Sequence, residues 1–406
     1  MTMPSNPTAP RALEGVLVLD LSRILAGPTA TQLLGDLGAT VIKIENPITG
    51  GDDTRRWGPP YAETKDGQSD LSAYFMAANR NKFSVAADLS TPEGQELVKQ
   101  IAAQAQIVIE NYKPRGLKKY GLDYAALSEI NPSLVYCSIS GFGQTGPNRE
   151  RPGYDLMAQG FGGIMSITGD PDGAPMKVGV GIADVMCGMY ATVGMLAALR
   201  HAEATGEGQQ IDLALVDSQM AWLVNEGTNY LTSGKTPKRR GNGHPNIAPY
   251  NVFATKDGHI ILAVGNDTQF QSFCRAFNCS DLAVDPRFAT NPLRLENRVA
   301  LETAVSETIG AHSSQETLAM LQAQGVPCGP INTVEEALTS PQAIERGAVV
   351  KVSAEATSAG TVNLLGNPLK FSKTPIQYVK APPKFGEDTE NVFDLLSQQM
   401  SQSQSQ

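Results

Sequence analysis

The chain has 406 residues, 41% of them hydrophobic, enough for two domains with substantial cores. Its 32 basic and 41 acidic residues leave a net charge of −9, which argues against a nucleic-acid surface. Cys137, Cys187, Cys274, Cys279 and Cys328 are odd in number and scattered. With no Cys-x-x-Cys pair and no Cys/His cluster, they suggest neither a zinc site nor a disulfide framework, and a reducing, cytoplasmic location is expected.

The opening MTMPSNPTAPRALEG lacks an apolar run, so no signal peptide is expected and residues 1–12 read as disordered. From residue 13 a strand-then-helix alternation begins. GVLVLDLS is a buried-strand run before a helix near GPTATQLLGDLG, and TVIKIE is the next strand. FSVAADL precedes a helix over STPEGQELVKQIAAQA, with Ser90 or Thr91 as cap and Pro92 in its first turn. IVIENY, the helix DYAALSEI and the strand LVYCSIS follow. This alternation implies βαβ units and a parallel sheet covered on both faces. Ligands bind such sheets beyond the carboxyl ends of the strands, where DLSRILAGP and ENYKPRG place polar clusters.

Val185–Leu199 is apolar or small nearly all round, which reads as a buried helix. It falls short of the ~20 residues a membrane span needs, so no membrane partner is expected. Asp184 stands at its threshold. Read alone, this aspartate is a helix cap, although the nearby Gly179 and Gly181 also leave backbone open to a ligand.

QQIDLALVDSQMAWLV then runs from strand to helix. The pattern changes over residues 225–330, which read as a smaller α+β domain. The glycine-rich loop 234–250 falls at its start, a hairpin turns at Lys256–Asp257–Gly258, and helices lie near 268–277, 298–309 and 315–324. Residues 331–396 return to the large domain of 13–224, with a last helix near 388–397, and 397–406 reads as a disordered tail.

No glycine-rich segment has phosphate-loop or dinucleotide spacing; GFGQTGP reads as a turn. His201, His259 and His312 sit in no catalytic pattern, while His244 lies in the glycine-rich loop. KPRGLKK is a solvated basic face or a seat for a phosphate-bearing ligand.

In order along the chain, LDLSRILAGPTATQLLGDLGATVIKIENP, GDDTRRWGPP, NRNKFSVAADLSTPEG, IENYKPRGLKKYGLDY, GYDLMAQGFGGIMSITG and VGVGIADVMCGMY resemble the family III CoA-transferases. That group includes formyl-CoA transferase, carnitine CoA-transferase and the α-methylacyl-CoA racemases. The likeness spans about residues 13–395 and is strongest to members that move CoA between dicarboxylates, such as the succinate–glutarate enzyme. It implies an α/β fold with a doubly wound parallel-sheet large domain built from both chain ends, a smaller α+β domain, and an interlocked homodimer. Acyl-CoA and a carboxylic acid would be the substrates, with no permanently bound cofactor and no metal.

The resemblance puts Asp184 on the catalytic aspartate. Ala26, Asp88, Leu89, Asn111, Tyr112, Lys119, Tyr154 and Asp155 fall on CoA-binding positions, and Gly241, Asn242, Gly243 and His244 on a loop that closes over the site. Arg23, Arg55, Arg239, Arg240 and His244 are the candidates to hold a distal carboxylate. Leu25 replaces the glutamine of formyl-CoA transferase, and Asn46 stands where an arginine often meets the adenine. An acyl-CoA racemase or epimerase is the alternative, against which Tyr154 stands where racemases carry histidine. Chemically, a carboxylate ionised at neutral pH can carry the acyl group as a mixed anhydride and then CoA as an aspartyl thioester.

Overall fold

The computed structural model describes residues 10–403 except 66 and 68. The expected disorder at 1–12 therefore falls mostly outside the described residues. The last helix begins later than expected and runs Val392–Ser403, so the stretch read as a tail from 397 is helical to 403.

Two compact units divide the chain. The first combines residues 1–164, 178–223 and 340–406; the second combines 165–177 and 224–339. The segment 165–177, read from sequence as part of the large domain, belongs to the second unit. Gly241 N–H donates to Gly169 O at 3.1 Å, and the Arg239 guanidinium donates to Asp170 O and Gly173 O at 3.1 and 2.7 Å.

In the first unit, β1 (Leu17–Asp20), β2 (Thr40–Glu45), β3 (Lys82–Ala86), β4 (Ile107–Glu110), β5 (Val135–Ser140) and β6 (Gln209–Ala214) form a parallel sheet in the order 3-2-1-4-5-6. Alternation along β1 sorts its side chains onto opposite faces. Val18 joins a core with the helices Ala26–Asp36 and Ile182–Thr205; Leu17 and Leu19 join one with Pro92–Ala102 and the final helix. The C-terminal segment shields the sheet edge: the N–H groups of Ser84 and Ala86 in β3 donate to Asp388 and Thr389.

The Ile182–Thr205 helix has 24 residues, so by length and composition it is able to cross a bilayer, contrary to the shorter run read from sequence. Packing decides its role: Ala183, Cys187, Ala191, Met195 and Ala198 are buried in the core.

The second unit contains an antiparallel sheet of β7 (Tyr250–Ala254), β8 (His259–Ala263) and β9 (Cys328–Pro330). Helices Asp267–Ala276, Arg298–Gly310 and Ser314–Ala323 pack with it around Phe253, Phe270, Phe273 and Leu301. In the first unit β10 (Val349–Ser353) and β11 (Thr361–Leu365) form a separate hairpin.

Candidate active site

The strand order reverses direction between β1 and β4, and the loops leaving their carboxyl ends diverge there. Together with the loop after β5 they enclose a cavity of about 480 Å³. Arg23–Ala26 come from the first loop, Asn111–Pro114 and Lys119 from the second, and Gly141 and Arg151–Tyr154 from the third; Asp184 completes the wall. Two backbone crossings bring these pieces together. A Cβ on Gly188, one turn beyond Asp184, would lie 2.6 Å from Ala26 O, so the two helices approach only because the residue is glycine. Gly141 and Gly153 cross just as closely, a built Cβ on Gly153 meeting Gly141 Cα at 2.1 Å, and this sets Tyr154 beside the cavity.

Asp184 is the third residue of its helix, which corrects its reading as the cap. Gly181 holds the N-cap position without a side-chain bond. The capping carboxylate is Asp155, whose Oδ1 accepts from Ala183 N–H at 2.8 Å and Asp184 N–H at 3.4 Å. Gln159 anchors the other oxygen of Asp155 at 2.7 Å. Asp184 is thereby free of structural duty and only 9% exposed. Burial, with the Asp155 charge second, pushes its carboxyl up to about 7. The free protein therefore holds it partly protonated near neutrality, correcting the expectation of full ionisation.

The cations sort into three groups. Arg23, Lys113, Lys119 and Arg151 border the cavity. Arg23 pairs with Asp53 at 3.0 Å and lies over the Tyr112 ring, and Lys119 lies over Tyr120. Arg55, a sequence candidate for a distal carboxylate, is buried instead. It binds Glu45 at 2.6 Å and Asp70 at 2.8 Å and stacks on Phe75, leaving no donor face for a substrate. In the second unit Arg240 pairs with Glu226, and His244 Nδ1 accepts from Asn246 N–H while its ring packs on Tyr250. Gly241 adopts φ +60° within this loop of Gly241, Asn242, Gly243 and His244.

Among the residues carried over from the resemblance, Ala26, Asn111, Tyr112, Lys119 and Tyr154 border the cavity. Asp155 does not; it acts on the helix behind. Asp88 and Leu89 also lie off this wall: Asp88 closes a turn onto Ser90 N–H and Oγ, and Leu89 is buried in the core. Sequence reasoning missed Tyr74. Burial and then the Asp184 and Asp155 charges push its hydroxyl up, and Trp57 packs edge-on against its ring at 5.0 Å. It also missed Glu110, at the end of β4. Burial raises its carboxyl to about 7, and it borders a second cavity of about 290 Å³ with Lys113, Arg115 and Lys118.

A buried carboxylate on the wall of a cavity bordered by several cations has the form of a site for acyl transfer from a phosphate-bearing thioester. The chain belongs to CoA-transferase family III, whose sequence pattern matches residues 13–389, and it is a CoA-transferase. It is similar to the succinate–glutarate CoA-transferase of Agrobacterium fabrum, 48% identical over 394 residues, covering 97% of this chain and 98% of that one. The human succinyl-CoA:glutarate CoA-transferase is 40% identical, over 94% of this chain and 85% of its own length. Among solved structures, a CaiB/BaiF family protein from Brucella suis superposes with a TM-score of 0.84 at 47% identity, covering 95% of this chain and 99% of that one.

Proposed function

We propose that the protein moves CoA from succinyl-CoA to a short dicarboxylate, with glutarate the first acceptor to test, and that Asp184 carries the group covalently. The observation that supports this most is the Asp184 carboxylate itself: nine-tenths buried, relieved of capping by Asp155, and on the cavity wall.

In the first step the Asp184 carboxylate attacks the thioester carbonyl, the C–S bond breaks, and a mixed anhydride and CoA thiolate form. The thiolate attacks the aspartyl carbonyl of the anhydride; succinate leaves and an aspartyl-CoA thioester remains. The acceptor carboxylate attacks that thioester, regenerating thiolate and giving a second anhydride. Attack of the thiolate on the acceptor's acyl carbon then releases the new CoA ester and the Asp184 carboxylate. Each step exchanges one carboxylate for one thiolate, so no oxidant, metal or net proton is required. The start of the Ala26–Asp36 helix offers the Ala26 and Gly27 N–H groups to the developing oxyanion, since Leu25 supplies no side-chain cap and Pro28 has no N–H. Lys113, Lys119 and Arg151 serve the phosphates and Arg23 the distal carboxylate.

The protein works as a homodimer, interlocked as in the family, and in the cytoplasm. Met189, Tyr190 and Val193 stand exposed on the Asp184 helix, an apolar face suited to a second copy. All five cysteines are free thiols, as a reducing compartment would keep them. Incubation with succinyl-CoA and a panel of acids, followed by mass spectrometry of the CoA esters, tests the substrate reading. New dicarboxyl-CoA esters support it, and hydrolysis or α-carbon exchange alone sinks it.

A further inference from the structure

The turn that opens the cavity wall is strained. Ile24 has φ +72°, a left-handed conformation that is costly for a β-branched side chain. Its neighbours Arg23, Leu25 and Ala26 all face the cavity. Nothing local in the sequence, neither glycine nor asparagine, favours this geometry, so the surrounding structure must impose it.

The imposing groups are buried and charged. Lys43, in β2, donates from Nζ to Ser22 O at 2.7 Å. Asp52 accepts Ile24 N–H with both carboxylate oxygens at 3.2 Å. Lys43 and Asp52 are themselves paired at 3.0 Å, and neither side chain is exposed. One ion pair thus grips the carbonyl before Arg23 and the N–H after it. Asn111 closes the remaining side: its Oδ1 accepts Arg23 N–H at 2.9 Å and its Nδ2 donates to Arg23 O at 2.7 Å. Asp52 is fixed in turn by the N–H and hydroxyl of Thr54. A buried pair of this kind is a poor source of net stability, because desolvation offsets its attraction. Its place behind the turn that lines the cavity points to another role.

We propose that the Lys43–Asp52 pair is a positioning device, which holds the strained Ser22–Leu25 turn and so fixes the start of the Ala26 helix opposite Asp184 during acyl transfer. Both residues act through the turn and touch no substrate. The inference rests on the covalent role given to Asp184.

The test compares wild type with Lys43→Met/Asp52→Leu, which removes both charges together, and with the same protein also carrying Ile24→Gly. Folding is checked by thermal unfolding, and kcat, KM for succinyl-CoA and the rate of adduct formation on Asp184 are measured. The double variant folds, its kcat and adduct rate fall about 100-fold, as expected for misplacement by an ångström, and KM moves far less. Glycine adopts the left-handed turn freely, so Ile24→Gly restores about 10-fold of the lost rate. A folded double variant with wild-type rate overturns the proposal, as does a loss that glycine leaves unchanged. If the double variant does not fold, Asp52→Asn with and without Ile24→Gly is read by the same criteria. Absence of an adduct in active wild type removes Asp184 as carrier, whereas the kcat comparison still decides the role of the turn.

Discussion

Asp155 holds the helix that carries Asp184: its Oδ1 accepts the N–H groups of Ala183 and Asp184 at 2.8 and 3.4 Å. One carboxylate satisfies the helix start and leaves the other without a capping role, while burial and then the neighbouring charge raise the pKa of Asp184. Asp155→Asn retains an acceptor and loses the charge. The acid limb of kcat/KM against pH should therefore shift downward with modest loss of rate. Asp155→Ala removes the cap and should cost about 1 kcal/mol of stability, measured by denaturant unfolding. An unmoved acid limb in Asp155→Asn would refute the coupling.

Asp184 is also placed at a thermodynamic cost. Its carboxyl titrates in the folded chain at about 7, above its unfolded value, so stability is fully present below pH ~4 and is lost as pH rises through 7. Asp184→Asn should abolish transfer and make the folded protein more stable at pH 8, by up to about 4 kcal/mol. The gain should vanish near pH 4. Unfolding curves at the two pH values check both the sign and the window; a variant less stable than wild type at pH 8 would contradict it.

Arg55 and Lys119 should separate by phenotype. Arg55→Met leaves Glu45 buried without its cation and should destabilise the fold by about 3–5 kcal/mol. Lys119→Ala, at an exposed position of the short 3-10 helix Lys118–Tyr120, should leave the melting temperature in place and raise KM for the CoA ester. Measuring Tm and KM for both variants distinguishes a structural cation from a binding one.

The apolar face of the Asp184 helix predicts oligomeric state. Sedimentation should give twice the 43.2 kDa chain mass. Val193→Glu, at an exposed position, should weaken association. A monomer at micromolar concentration would remove the homodimer from the account.

The repeating strand–helix pattern made the parallel sheet legible, because buried strands and their helices are continuous in sequence. Asp184 was conspicuous as the one acid at the edge of an apolar run. Its true surroundings were not legible, since its cap comes from Asp155 in a separate helix. Arg55 misleads for a related reason: an arginine in a polar loop reads as available, yet Glu45 at the end of β2 and Asp70, fifteen residues past Arg55, enclose it once the chain folds. Asn111, read through the family likeness as a CoA contact, spends both amide atoms on the Arg23 backbone. Tyr74 carried no motif at all; a weak sign was the aromatic Trp57 upstream in the same polar stretch.

The most direct test is the chemical state of Asp184 during turnover. Wild-type protein is mixed with succinyl-CoA alone, quenched with hydroxylamine, digested and examined by peptide mass spectrometry. The account predicts a hydroxamate on the peptide containing residue 184, absent in Asp184→Asn. An unmodified Asp184 in protein that is demonstrably transferring CoA would contradict it.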